Sequence, residues 1–176
     1  MRRRTTSAVG GALLAIALLT ACVPEPAPSP TPTGFASEDE AFAAAEATYR
    51  AYIDALNGID FTDPETFEPA FSWTTGAANA ADRRDFSTYY AEGFSIEGDF
   101  SVVAFAPQSW AVSESKVFAT ACLDVSQTKV VDANGTTTTP TDRAPSVALN
   151  LSFTSARSAT GLLLDDVTPS ENSGSC

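Results

Sequence analysis

Two hydrophobic periodicities divide the chain near Gly98: apolar residues recur every three or four positions before it and alternate after it. Ser37-Glu38-Asp39-Glu40 reads as a capping box, with Ser37 as N-cap and Glu40 three residues on. Phe42, Ala45, Tyr49, Tyr52, Ile53 and Leu56 then fall on one helical stripe, and Asn57-Gly58 supplies the stop. Asp63-Pro64-Glu65 opens a second, short helix: Asp63 caps it and Pro64 takes the first helical position. Phe67, Phe71 and Trp73 give this helix its apolar face, and Pro69 limits its length. The Ala-rich stretch 77–91, with Phe86, Tyr89 and Tyr90, predicts a third helix ended by Glu92-Gly93.

The second half reads as strands. Residues 100–106 are aromatic and β-branched until Pro107 breaks the run. Residues 116–131 alternate, which predicts one long strand. It would carry Val117, Ala119, Ala121, Leu123 and Val125 on one face, with Phe118, Thr120, Cys122, Asp124 and Ser126 on the other. Asp132-Ala133-Asn134-Gly135 is a turn signal, so Val147, Leu149, Leu151 and Phe153 form the next, antiparallel strand. Gly161 starts a last strand over 162–168. Helices followed by an antiparallel meander define an α+β class, with the helices on one face of a curved sheet of about four strands.

The first 34 residues belong to neither pattern. Arg2, Arg3 and Arg4 precede an apolar run over 8–19, the order of a secretory signal. The run is too short to span roughly 30 Å of hydrocarbon comfortably as a permanent helix. Leu19-Thr20-Ala21-Cys22 resembles the lipobox of bacterial lipoproteins. The resemblance implies cleavage between Ala21 and Cys22, a diacylglyceryl group on the Cys22 thiol, and anchoring on the extracytoplasmic face of a cell membrane. An ordinary secretory signal with an accidental cysteine, or a short anchor helix, is the competing reading. Residues 23–34, VPEPAPSPTPTG, favour extended backbone at about 3.1 Å per residue and read as a semi-rigid tether, with a ligand for a proline-recognising domain as the alternative. The organisation expected is a signal peptide over 1–21, a lipidated cysteine and tether over 22–34, and one domain over 35–176.

Charge and cysteine count narrow the chemistry. The formal net charge is -12, and loss of the three leader arginines moves it to -15. Such a chain repels phosphate backbones and anionic headgroups, which disfavours nucleic acid as a partner. With Cys22 lipidated, Cys122 and Cys176 remain as an even pair in an oxidising compartment. A Cys122–Cys176 disulfide is the expectation, with two free thiols or a metal site as the alternatives; two thiols and no histidine make a poor zinc site.

The helix–helix–helix–strand order, the first helix ending in Asp54-Ala55-Leu56-Asn57, and the strand Ala121-Cys122-Leu123-Asp124-Val125-Ser126 resemble nuclear-transport-factor-like (cystatin-like cone) domains. More narrowly, they are similar to uncharacterised lipoproteins of GC-rich Gram-positive bacteria. In those, a strand cysteine followed two residues later by Asp is often matched by a cysteine at the extreme C-terminus. One departure stands out: Gly161-Leu162-Leu163-Leu164 occupies the place where such domains usually carry a Trp.

Without histidine there is no Ser-His-Asp or Cys-His arrangement, and no nucleotide, zincin or EF-hand motif occurs, so no cofactor or metal is expected. The resemblance implies an apolar cone whose deep carboxylate can act as a base. Asp124 is the candidate by position, with Tyr49 and Tyr52 as hydrogen-bond donors; read structurally, Asp124 instead sits near a strand end on the disulfide's face. Asp82-Arg83-Arg84-Asp85 reads as a local ion-pair set on a solvated helix face, or as a docking patch for cell-wall polymer. Residues 136–139 read as a hairpin tip, and Trp73 and Trp110 as packing at the core or its rim, with exposed stacking on carbohydrate as the alternative. The function expected is a membrane-tethered, non-enzymatic module that binds an envelope protein or polymer. The rivals are an isomerase- or cyclase-like use of the cone interior and homodimerisation through the sheet face.

Overall fold

The computed structural model describes residues 34–170 and 176. The expected cleavage site at Ala21 and Cys22, the apolar leader and nearly all of the tether lie outside the described residues.

Helix α1 spans Glu38–Asn57. Ser37 caps it by accepting from the Glu40 amide, while the Glu40 carboxylate reaches back to the Ala36 amide at 2.8 Å rather than to Ser37 itself. Its buried stripe is Ala41, Ala45, Thr48, Tyr49, Tyr52 and Ile53, the 3.6-residue spacing expected of a helix lying on a sheet. Asp63 caps a short 3₁₀ turn, Pro64–Phe67, that runs into α2, Glu68–Phe71. Helix α3, Gly76–Glu92, ends at Gly93 in the left-handed region, where glycine costs least.

Among the described residues six strands follow: β1 Ser95–Glu97, β2 Ser101–Ala111, β3 Lys116–Asp124, β4 Lys129–Val131, β5 Ser146–Ser155 and β6 Leu162–Pro169. The main sheet runs β2-β3-β5-β6, antiparallel throughout, and β1 and β4 form a separate two-stranded ribbon. The α+β class with about four sheet strands is therefore borne out. Along β3 the alternation is complete: Val117, Ala119, Ala121 and Leu123 are buried under the helices, and Lys116, Phe118, Thr120, Cys122 and Asp124 form the outer face. Small residues on both sides (Ala41 and Ala45 on α1, Ala119 and Ala121 on β3) let the backbones approach, while Phe153, Leu162 and Leu164 fill the space between.

Two expected breaks fall elsewhere. Pro107 does not end its strand: β2 continues to Ala111, because it is an edge strand and Pro107 sits at a register shift where a ladder donor is dispensable. The predicted strand 116–131 is instead cut at Asp124. The Thr128 amide turns back to the Val125 carbonyl, and the Arg143 guanidinium takes the carbonyls of both Val125 and Thr128. Gly98, at φ 82°, packs against the Gln127 carbonyl so closely that a Cβ would lie 2.0 Å from the oxygen. The Asp132–Gly135 turn forms, but it returns the chain to a bridge between Val131 and Thr137; β5 pairs with β3, not β4.

The β6 edge is covered. Trp73 and Thr75 exchange backbone hydrogen bonds with Leu164, which threads the α2–α3 connection alongside the sheet and buries Thr74. Gly76 then enters α3 at φ 53°, against the bulged residue Asp165. Cys122 and Cys176 are joined by a disulfide on the outer face of β3, closing a sequence separation of 54. Among the described residues, no helix is long and apolar enough to cross a membrane.

Candidate functional site

Two adjacent concavities share Tyr89. The first is a cleft of about 160 Å³ between the C-terminal halves of α1 and α3. Tyr52 and Leu56 come from α1, Asp85, Phe86 and Tyr89 from α3, and Ile59 and Phe61 from the segment between helices; Ile96 and Phe100 close it from the strand side. The i, i+3 and i+4 spacing puts Asp85, Phe86 and Tyr89 on one side of α3. Its rings are in mutual contact: Phe61 lies 5.7 Å from Phe86 and 5.1 Å from Tyr89. The second concavity is a more open groove of about 390 Å³, where Tyr89 and Phe94 face Val130, Thr138, Thr139, Pro140 and Arg143.

Behind the cleft, Tyr52 donates to Asp82 Oδ1 at 2.8 Å. Asp82 is only 9% exposed, and its Oδ2 is buried without a hydrogen bond of normal geometry. Burial raises the Asp82 carboxyl above its ordinary value; the Tyr52 and Thr74 hydroxyls oppose that rise, and the nearby Asp85 charge adds to it. The Tyr52 phenol is raised too, first by burial and then by the charges of Asp82 and Asp85. Tyr49, about one helical turn before Tyr52 and deeper in the core, has a buried hydroxyl with no partner and tilts against Tyr52 and Phe105.

The residues expected to share a pocket are thus separated. Tyr52 lines the cleft, and Tyr49 lies in the core behind it. Asp124 is on the opposite side of the sheet: strand alternation turns it, with Cys122, away from the helices. There it accepts from the Ser126 amide at 2.7 Å, which holds its carboxyl below the ordinary value. It therefore does not serve as the inward carboxylate; Asp82 takes that position.

The Asp82–Asp85 cluster is correspondingly not one solvated patch. Asp82 turns inward, Arg83 stacks over the Phe71 ring at 4.1 Å, and only Arg84 and Asp85 form an exposed pair. Spacing could have identified Asp82, which stands four residues from both Ala78 and Phe86, the other buried positions of α3. Trp110 meets Phe35 edge-on at 6.4 Å, and Trp73 packs half-buried against the core, so both serve packing.

Helices packed on one face of a four-stranded antiparallel sheet give the chain the α+β fold of nuclear-transport-factor-like cones. No protein-family model matches the chain, and no curated protein matches it by sequence. Among solved structures, it is similar to the intermembrane-space region of the chloroplast protein ARC6, with 12% identity, a TM-score of 0.51, and coverage of 72% of this chain and 94% of that one. A protein of Novosphingobium aromaticivorans aligns at 13% identity and a TM-score of 0.48, covering 78% of this chain and 98% of that one. The VirB8 protein of Agrobacterium tumefaciens aligns at 9% identity and a TM-score of 0.44, over 78% and 96%. At these identities the likeness concerns the fold alone.

Proposed function

We propose that the chain is a lipoprotein anchored through Cys22 on the extracytoplasmic face of a cell membrane, whose domain works as a non-enzymatic binding module for another envelope component. The observation that carries this reading is where space is left. The region between helices and sheet is filled by Tyr49, Val117, Phe153, Leu162 and Leu164, while the larger relief lies on the surface around Tyr89 and Phe94. A ligand site usually needs several hundred cubic ångströms of enclosed space; an aromatic groove beside an anchored arginine suits a partner's surface. Arg143 is held in place by its bonds to Val125 and Thr128, and it is a fixed positive charge in a strongly acidic chain. A protein is the favoured partner and a cell-wall polymer the other candidate.

The test is site-specific crosslinking in intact cells. A photoreactive residue at Thr138, on the groove, should give a discrete adduct, and one at Asn150, on the outer sheet face, should not. Adducts at neither site, or equally at both, would sink the groove assignment. An adduct at Asn150 alone, of twice the chain's mass, would support the homodimer through the sheet face instead.

One observation favours the second reading, a small-ligand binder or isomerase-like enzyme. The buried Asp82 carboxyl, its pKa raised by burial, stands behind the cleft that Tyr52 lines; a substrate that displaced Tyr52 from Asp82 would meet a base in the carboxylate and a donor for its carbonyl in the freed phenol. Enolisable ketones should then exchange their α-protons in the presence of the chain, and Asp82→Asn should abolish the exchange. Exchange rates at the buffer background in the unmodified chain would remove this reading.

A further inference from the structure

We infer that the cleft between α1 and α3 is a binding site for a small organic ammonium ion, held among the rings of Phe61, Phe86, Tyr89 and Phe100 with Asp85 at its rim. Three observations converge on a cation rather than a neutral guest. The first is the lining. Five of the cleft's nine lining residues, Tyr52, Phe61, Phe86, Tyr89 and Phe100, are aromatic, so a guest in the cleft meets π-systems whose faces carry negative charge density.

The second is charge. Among the described residues, the ion pairs are Arg50–Glu46, Arg84–Asp85 and Lys116–Asp165, and none reaches Asp82. A carboxylate 9% exposed and lacking a cation is costly, and a positive charge in the adjoining cleft offsets that cost through Tyr52, which borders both. Asp85 adds a second carboxylate on the same side. Its existing partner, Arg84, is 70% exposed, and such a pair contributes little.

The third is size and field. About 160 Å³ accommodates an alkylated ammonium group but not a drug-sized molecule, and a net charge of -12 draws cations toward the surface. A phosphate joined to the ammonium would meet Asp85 and the acidic surface, so the ligand is a free cation and not a zwitterionic lipid headgroup. The site is independent of the partner-binding groove, with which it shares only Tyr89.

The test is calorimetric titration of the full chain in detergent with choline, its uncharged isostere 3,3-dimethyl-1-butanol, and phosphocholine. Choline should bind saturably and about tenfold more tightly than the isostere, the difference a desolvated cation–π site supplies. Phosphocholine should bind more weakly than choline. Asp85→Asn and Tyr89→Leu should each weaken choline binding severalfold, while Tyr89→Phe, which keeps the ring, should retain it. Equal affinity for choline and its isostere, no heat with choline, or full affinity in Asp85→Asn would overturn the proposal. So would tighter binding of phosphocholine, which would point to a headgroup site.

Discussion

Tyr52 and Asp82 meet at 2.8 Å across the α1–α3 interface, and the bond satisfies only one of the two carboxylate oxygens. The helices are thereby joined by a polar contact inside an otherwise apolar junction of Phe61, Phe67 and Phe86. Such a contact fixes relative position, but ionisation of its acid opposes burial.

Replacing Asp82 with Asn tests that opposition. Because the folded-state pKa of Asp82 is raised, the folded chain holds its proton more tightly than the unfolded chain does. The carboxyl therefore costs stability at neutral pH, and the cost vanishes as pH falls below the unfolded carboxylate value. Asp82→Asn should melt above the unmodified chain at pH 7, and the difference should shrink towards pH 3. A constant difference across that range would show that titration of Asp82 is not its source.

Gly76→Ala should be destabilising by more than about 1 kcal/mol, since a non-glycine residue is strained at positive φ before any contact is counted. Here the contact is also prohibitive: the new Cβ would lie 2.2 Å from Asp165 Oδ1 and 3.1 Å from its carbonyl. Displacing Asp165 should loosen Lys116, its partner at 2.9 Å, so the urea midpoint should fall and the amides of β6 should exchange faster. An unchanged midpoint would mean that α3 enters the fold in another conformation.

Reduction of Cys122–Cys176, or Cys176→Ser, should lower stability by up to about 4 kcal/mol, the chain-entropy value for a closed loop of this length. The helical signal in circular dichroism should persist below the new transition, because α1, α2 and α3 all precede Cys122 and lie outside the loop. A melting temperature unaffected by reductant would argue that the pair is open in solution.

Cys22→Ala addresses the anchor. The variant should accumulate as an unprocessed precursor or be released into the medium, whereas the unmodified chain should partition into detergent as a cleaved, acylated form. Membrane retention of cleaved Cys22→Ala would defeat the lipid assignment.

The helices were legible because their signals are local: Ser37 and Glu40 cap α1, and Asp63 with Pro64 opens the next turn, within a few residues of sequence. The sheet was legible where alternation runs unbroken, as along β3. It was not legible where distant groups decide. Arg143 ends β3 from 18 residues away by taking the Val125 carbonyl, and the three-residue strands β1 and β4 form a ribbon by pairing across more than thirty residues of sequence. Pro107 misleads because its meaning depends on whether the strand is an edge, which sequence does not record locally. Asp82 misleads for a related reason: its charge suggests solvent, whereas its helical position assigns it to the core. Asp124 had the right chemistry on the wrong face of the sheet.

The Cys122–Cys176 crosslink also sets how the domain answers a pull. Strands β4, β5 and β6 lie inside a covalent ring, whereas α1, α3 and β2 lie outside it. Tension applied between the N-terminal side and Cys176 can peel away the helices and β2, but the 54-residue interval within the ring adds no contour length while the bond holds. A single-molecule force trace should therefore lengthen by a much larger step under reductant, and the ringed hairpin β5–β6 becomes the part of the domain most shielded from load.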